Sequence, residues 1–81
     1  MQQITFLRNP QVTARLAISK ASIYVQINAG LMPPGVPISS RAVGWPLHEI
    51  DAICRARLAG CTDDEIKGLV RSLMTARKQA A

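Results

Sequence analysis

The 81-residue sequence predicts a mainly α-helical fold with one small β-hairpin and a C-terminal amphipathic helix. Two short helical patterns lie close together between residues 10 and 29, and a Pro-rich break and a short β-like run follow them. Two helices joined by a very short turn and followed by a hairpin are typical of the winged helix-turn-helix fold, which many small proteins use to enter the DNA major groove. The chain also carries 10 Lys and Arg against 5 Asp and Glu, and a net charge of +5 favours an acidic partner.

The first helix is predicted over about residues 10–17. It follows a short alternating run over residues 1–8, which is either a strand or an extended lead-in. Asn9 is a suitable N-cap because its side-chain oxygen can accept from a free helical N–H group. Pro10 fits the first helical position because that position needs no N–H donor.

The second helix is predicted over residues 19–29, with Ser19 as its N-cap and Gly30 as a left-handed residue that ends it. Only two or three residues, around Ala17-Ile18, separate it from the first helix. Such a short join forces the two helices to cross sharply, as they do in a helix-turn-helix.

A small β-wing is predicted after the second helix. The Met32-Pro33-Pro34-Gly35 segment cannot be a helix or a central strand. Apolar and polar residues then alternate imperfectly over residues 36–45, with Ser39-Ser40-Arg41 as the loop between two short strands. Trp45 is expected in the core, where it would hold the wing against the third helix.

The third helix is predicted from Pro46 to Leu58. Its expected apolar stripe consists of Leu47, Ile50, Ile53 or Cys54, and Leu58. The acidic residues of the chain lie near helix starts, where capping and the helix dipole explain them; these residues are Glu49, Asp51, Asp63, Asp64 and Glu65.

A fourth helix is predicted over residues 62–78, because Thr62-Asp63-Asp64-Glu65 forms a capping box. Its apolar residues recur at helical spacing, at Ile66, Leu69, Val70, Leu73 and Met74. This stripe either completes the core, which we favour, or pairs with a second copy. The tail over residues 77–81 is expected to fray. We expect one domain over residues 1–81, with a winged core over 6–58 and this helix as an extension.

Four segments of the chain resemble the AlpA-type family of prophage and genomic-island transcriptional regulators, which are excisionase-like members of the MerR-related winged-helix group. The segments are FLRNPQV, LAISKASIYVQINAG, MPPGVPISSRAVGW and HEIDA, in collinear order over about residues 6–58. The resemblance implies a DNA-binding regulator, often one that switches expression of an integrase or of excision functions. The family usually has Gly at the position of Ala17, a change expected to matter little, and often a basic residue at the position of Val25.

Eight residues are candidates for DNA contact. Those at the start of the second helix would meet base edges or phosphates, Gln26 could recognise adenine, and an arginine at the hairpin tip could reach the backbone or minor groove. The set is Ser19, Lys20, Ala21, Ser22, Gln26, Arg41, Arg15 and Arg8. Tyr24 either packs its ring on the wing while its hydroxyl donates to a phosphate or packs in the core, which we favour.

The expected partner is double-stranded DNA, bound by one copy, by a homodimer or by a cooperative array, and an integrase is a further candidate partner. An excisionase that bends attachment-site DNA is an alternative, and a protein-interaction adaptor is an alternative of another class. An enzyme is not expected, because the sequence supplies neither an activated nucleophile nor paired carboxylates. No cofactor, metal or membrane is expected either, since Cys54, Cys61 and His48 are too few to hold zinc. A cytoplasmic, nucleoid-associated location is expected.

Overall fold

A computed structural model describes residues 3–79, and the expectations for residues 1, 2, 80 and 81 lie outside this range. The elements are β1 (Phe6–Leu7), α1 (Asn9–Leu16), α2 (Lys20–Asn28), β2 (Val36–Pro37), β3 (Val43–Pro46), α3 (Leu47–Leu58) and α4 (Asp63–Gln79). The prediction of a mainly helical fold with a small β-sheet and a C-terminal helix is therefore confirmed. Within residues 3–79, none of the helices combines the length and the hydrophobicity that a membrane crossing requires.

Helix α1 begins one residue earlier than its capping pattern predicted. Arg8, not Asn9, is the N-cap residue, and Asn9 and Pro10 form the first two helical positions. The Gln11 side chain accepts a hydrogen bond from the Arg8 backbone N–H at 2.8 Å. The prediction of Asn9 as the cap was wrong because the glutamine three residues beyond Arg8 already satisfies a backbone donor at the helix start.

The turn between α1 and α2 depends on Ala17, whose φ is 56° and whose conformation is left-handed. Among residues 3–79 it is the one non-glycine residue with positive φ. A Cβ in this conformation is strained, whereas glycine is not. The expectation that alanine would matter little here stays a prediction, and the structure shows that any cost arises from this conformation. Ser19 caps α2 as predicted, since its hydroxyl accepts from the Ser22 backbone N–H at 3.1 Å.

Strand β3 is the centre of a three-stranded antiparallel sheet with the order β1-β3-β2. Phe6 lies opposite Pro46 and Leu7 opposite Trp45, so the N-terminal lead-in forms a strand over these two residues. The β2–β3 hairpin is the predicted wing, and Arg41 lies exposed in its turn. Trp45 is buried, as predicted, and its indole N–H donates to the Pro33 carbonyl at 3.2 Å.

Two hydrophobic clusters hold these elements together. The first joins the sheet to α1, α2 and α3 through Leu7, Val12, Ile23, Met32, Trp45 and Ile50. The second joins α3 to α4 through Ile53, Ile66 and Val70. Leu16 packs against both clusters and so connects them. The stripe of α4 therefore completes the core, which agrees with the favoured interpretation.

The start of α4 has the predicted capping box. The Thr62 N–H donates to the Glu65 carboxylate at 2.8 Å, and the Thr62 hydroxyl accepts from the Glu65 N–H at 3.2 Å. The hydrogen bond from the Thr62 backbone, followed by that from its side chain, lowers the pKa of Glu65. These bonds stabilise the ionised carboxylate at the positive end of the helix.

Two expectations for α3 were wrong. Leu58 is 90% exposed and does not extend the apolar stripe, because it is the last residue of the helix. Glu49 is 1% exposed, and a helix start alone does not explain it. Arg77 donates from Nε to one oxygen of the Glu49 carboxylate at 2.8 Å and from Nη2 to the other at 2.5 Å.

The expectation that residues 77–79 fray was also wrong, because α4 extends to Gln79.

Candidate nucleic-acid interface

Helix α2 exposes one of its faces to solvent. Ile23 is buried and Ile27 half-buried, so this side of the helix packs against the core. The opposite side faces solvent and consists of Lys20, Ala21, Tyr24, Val25 and Asn28. Ser19 caps the helix and the short turn before it fixes its angle to α1, so this face is presented on a rigid element.

An open cleft of about 250 Å³ lies beside the N-terminal end of α2. Three cations from separate parts of the chain line it: Arg8 before α1, Lys20 at the start of α2 and Arg41 in the hairpin turn. Tyr24 lines the same cleft. Three like charges around one concave surface produce a positive potential that attracts an anion such as a phosphate group.

The cleft also has a polar wall that is not charged. Asn9 lines it, and the amide nitrogen of Asn9 is buried with no hydrogen-bond partner among residues 3–79. A buried N–H donor without a partner costs free energy unless a ligand or water accepts from it. An oxygen-rich anion in the cleft is one group that could do so.

The other predicted contact residues are distributed unequally. Ala21 lies on the exposed face, whereas the hydroxyls of Ser19 and Ser22 are 2.9 Å apart and belong to the helix cap. Gln26 is half-buried and accepts from Arg57 at 3.4 Å. Arg15 lies outside the cleft and pairs with Asp51 at 3.1 Å. The structure thus brings Arg8, Lys20 and Arg41 together and places Arg15 and Gln26 elsewhere.

Two exposed residues of α2 were not among the predicted contact residues. Tyr24 is 49% exposed, so the favoured expectation of core packing was wrong. Val25 is 66% exposed, the largest fraction among the described large apolar residues of α2. The signal was present in the sequence: Ile23 and Ile27 are four residues apart and define the buried side, which leaves 21, 24, 25 and 28 outside.

A second group of cations lies near the C-terminal end of α2. The guanidinium of Arg57, on α3, donates to Gln26 of α2. A Cβ at Gly30, just after α2, would lie 3.7 Å from Cγ of Lys67 on α4. Arg57 also pairs with Asp63 at 3.8 Å, so among the described residues the cluster of unpaired cations near the exposed face is that of the cleft at its N-terminal end. By contrast, within residues 3–79 no three His, Cys, Asp or Glu side chains come together as metal ligands.

Comparison with known proteins gives one family and one relative. The model of the family described as "Prophage CP4-57 regulatory protein (AlpA)" matches residues 5–58, which end where α3 ends. The relative is "Uncharacterized protein ORF88" of Enterobacteria phage P4, which is 36% identical over 58 residues. That match covers 72% of this chain and 66% of the relative, slightly less than two thirds of its length. No solved structure gives a significant match.

Proposed function

Because the chain belongs to the AlpA family of prophage regulatory proteins, which is a regulatory family and not an enzyme family, we propose that the protein is a sequence-specific DNA-binding transcriptional regulator. Helix α2 enters the major groove, and the hairpin reaches the DNA backbone or the minor groove.

The cleft formed by Arg8, Lys20 and Arg41 is the observation that supports this proposal most directly. An α-helix with its side chains is about 10–12 Å wide, and the major groove is about 12 Å wide. With the exposed face of α2 in the groove, the cleft beside its first turn lies where the groove edge carries phosphates. The three cations then fix the orientation of the protein, which is the usual role of backbone contacts.

The remaining predicted residues have secondary roles in this proposal. Ala21 and Ser22 lie in the first turns of α2, and Gln26 lies at the edge of its exposed face. The Arg15–Asp51 pair is exposed, and such pairs contribute at most about 1 kcal/mol. Arg15 can therefore exchange its carboxylate for a phosphate, and Gln26 can exchange its 3.4 Å bond to Arg57 for a base edge.

Duplex binding measured over a salt series tests the proposal. Log affinity should fall linearly with log salt concentration, by about 0.9 for each phosphate contact. Arg8→Ala and Arg41→Ala should each reduce this slope by about one unit on selected and scrambled duplexes alike. Lys78→Ala is the matched control, because Lys78 is an exposed cation near the end of α4 and does not line the cleft.

Two results would count against the proposal. A parent protein that binds no duplex at low salt is not a DNA-binding regulator of this kind. Equal slopes for the parent, both arginine variants and the control would mean that the cleft does not face DNA.

We also propose that neighbouring copies occupy adjacent sites on DNA, because a single module of this size has a limited contact area. Sedimentation of the protein with duplexes of increasing length should then show a stepwise increase in bound copies. One copy per duplex at every length would exclude this arrangement.

A further inference from the structure

The middle of the exposed face of α2 carries methyl groups. Val25 is 66% exposed and Ala21, four residues earlier, is exposed as well. Residues four apart on a helix lie one above the other on the same face. Ala21 and Val25 therefore form a short apolar line along the part of α2 that is farthest from the core residue Ile23.

Cations lie at the N-terminal end of this line. Lys20, Arg8 and Arg41 surround the cleft there, whereas Arg57, which donates to Gln26 further along α2, already pairs with Asp63 at 3.8 Å. Side chains with positive charge are suited to the phosphate backbone that borders a groove. With the cleft at the backbone, the exposed side chains that follow along α2 face base edges, and at this position they offer apolar surface.

One base presents an apolar group in the major groove. Thymine carries a 5-methyl group there, beside an acceptor oxygen, whereas the other bases present hydrogen-bond donors and acceptors. Contact between two methyl groups removes both from water, which is favourable. A contact between Val25 and cytosine would instead leave the amino donor of cytosine without a partner, which is unfavourable.

We propose that Val25, with Ala21, recognises thymine 5-methyl groups, so that the preferred site carries A·T base pairs opposite the middle of α2. This inference rests on the proposed DNA-binding function. It makes Val25 a residue that determines specificity, although its position is one where a basic residue would have been expected to contact DNA.

The test uses the duplex selected from a random pool by the full-length protein. Each thymine of that duplex is replaced in turn by deoxyuridine, which pairs identically but lacks the 5-methyl group. We expect the parent to lose about fourfold in affinity at one or two thymines, the loss that corresponds to one buried methyl group. Val25→Ala should bind the unmodified duplex more weakly and show little further loss at the thymine that Val25 contacts, because that contact is already absent.

Ile4→Ala provides the matched control. Ile4 is an exposed β-branched residue that lines a separate cleft with Ala76, and it does not line the cleft beside α2. This variant should keep the full deoxyuridine effect. Far-UV circular dichroism checks that Val25→Ala remains folded, as expected for an exposed helical position where alanine has the better helix propensity.

The possible outcomes separate this inference from the function on which it rests. If the parent binds the selected duplex with a normal salt slope but deoxyuridine has no effect at any position, thymine recognition is wrong and DNA binding stands. The same conclusion follows if Val25→Ala retains the full deoxyuridine effect, or if the selected sites contain no thymine. If the parent binds no duplex, both proposals fail.

Discussion

Replacing Arg77 by methionine should destabilise the protein strongly, because it leaves a buried carboxylate without its cation. The Arg77 guanidinium donates to both oxygens of Glu49 and, at 2.8 Å, to the Pro34 carbonyl. Glu49 is 1% exposed, although it and Arg77 line the open cleft that also contains Ile4, so water can replace the lost donors only in part. Methionine keeps much of the length of arginine, and the change is therefore mainly one of charge and hydrogen bonding.

The expected loss follows from the burial of the two partners. Removing one member of a buried ion pair typically costs about 3–5 kcal/mol. The Arg77 side chain is 21% exposed, which allows some access of water, so we expect the lower end of that range, about 3 kcal/mol. For a domain of this size, each 1 kcal/mol shifts the Tm by about 4–8 °C, which gives a fall of roughly 12–24 °C.

Thermal and urea unfolding, followed by circular dichroism, measure the change. Lys78→Met is the control, because it removes an exposed cation from the next position of the same helix. The double variant Glu49→Met, Arg77→Met should recover at least about 1 kcal/mol relative to Arg77→Met alone, since the buried charge is gone. If Arg77→Met melts like Lys78→Met, the reasoning from burial is refuted. If the double variant is no more stable than Arg77→Met, the lost stability comes from the packing of the Arg77 side chain and not from the unpaired carboxylate.

Three further changes should have smaller effects. Ala17→Gly should raise the unfolding free energy by about 0.5–1 kcal/mol, visible as a higher Tm, because glycine adopts positive φ without strain; a lower Tm would contradict this. Gly35→Ala should cost about 1–3 kcal/mol and shift tryptophan fluorescence, because a Cβ there would overlap Val43; a variant as stable as the parent would show that the wing adjusts freely. Because the pKa of Glu65 is lower in the folded state than in the unfolded state, its ionised carboxylate raises the free energy of unfolding at a pH above the usual carboxyl pKa. This contribution is lost as the pH falls through the lowered pKa. Glu65→Gln should therefore show a weaker acid-induced loss of stability in urea titrations, and an unchanged pH dependence would argue against the capping bond.

The helices could be predicted because their ends depend on residues that are close in sequence. The Ser19 cap and the Thr62–Glu65 capping box each act over three residues, and the structure contains both. Such signals need no knowledge of the rest of the chain. The small error at the start of α1 is of the same local kind, since two neighbouring residues competed to be the cap.

The burial of Glu49 could not be predicted because its partner is 28 residues away in sequence. A glutamate in the first turn of a helix is normally exposed, and no local pattern distinguishes this one. The positive φ of Ala17 is not indicated by alanine itself, and its signal is the glycine that the resembling family usually has at this position. At the candidate interface, the sequence predicted that Arg8, Lys20 and Arg41 contact DNA. Only the fold shows that these three side chains line one cleft.

The ion pair between Glu49 and Arg77 also bears on the order in which the protein matures on the ribosome. Synthesis proceeds from the N-terminus at about 5–20 residues per second, so Arg77 is added roughly 1–6 s after Glu49. Once Leu58 has been added, the residues that form the wing and the first three helices exist, but the carboxylate of Glu49 still has no cation to accompany it out of water. We therefore expect a chain that lacks the last turn of α4 to remain open at the base of the wing, where proteases and chaperones can reach it.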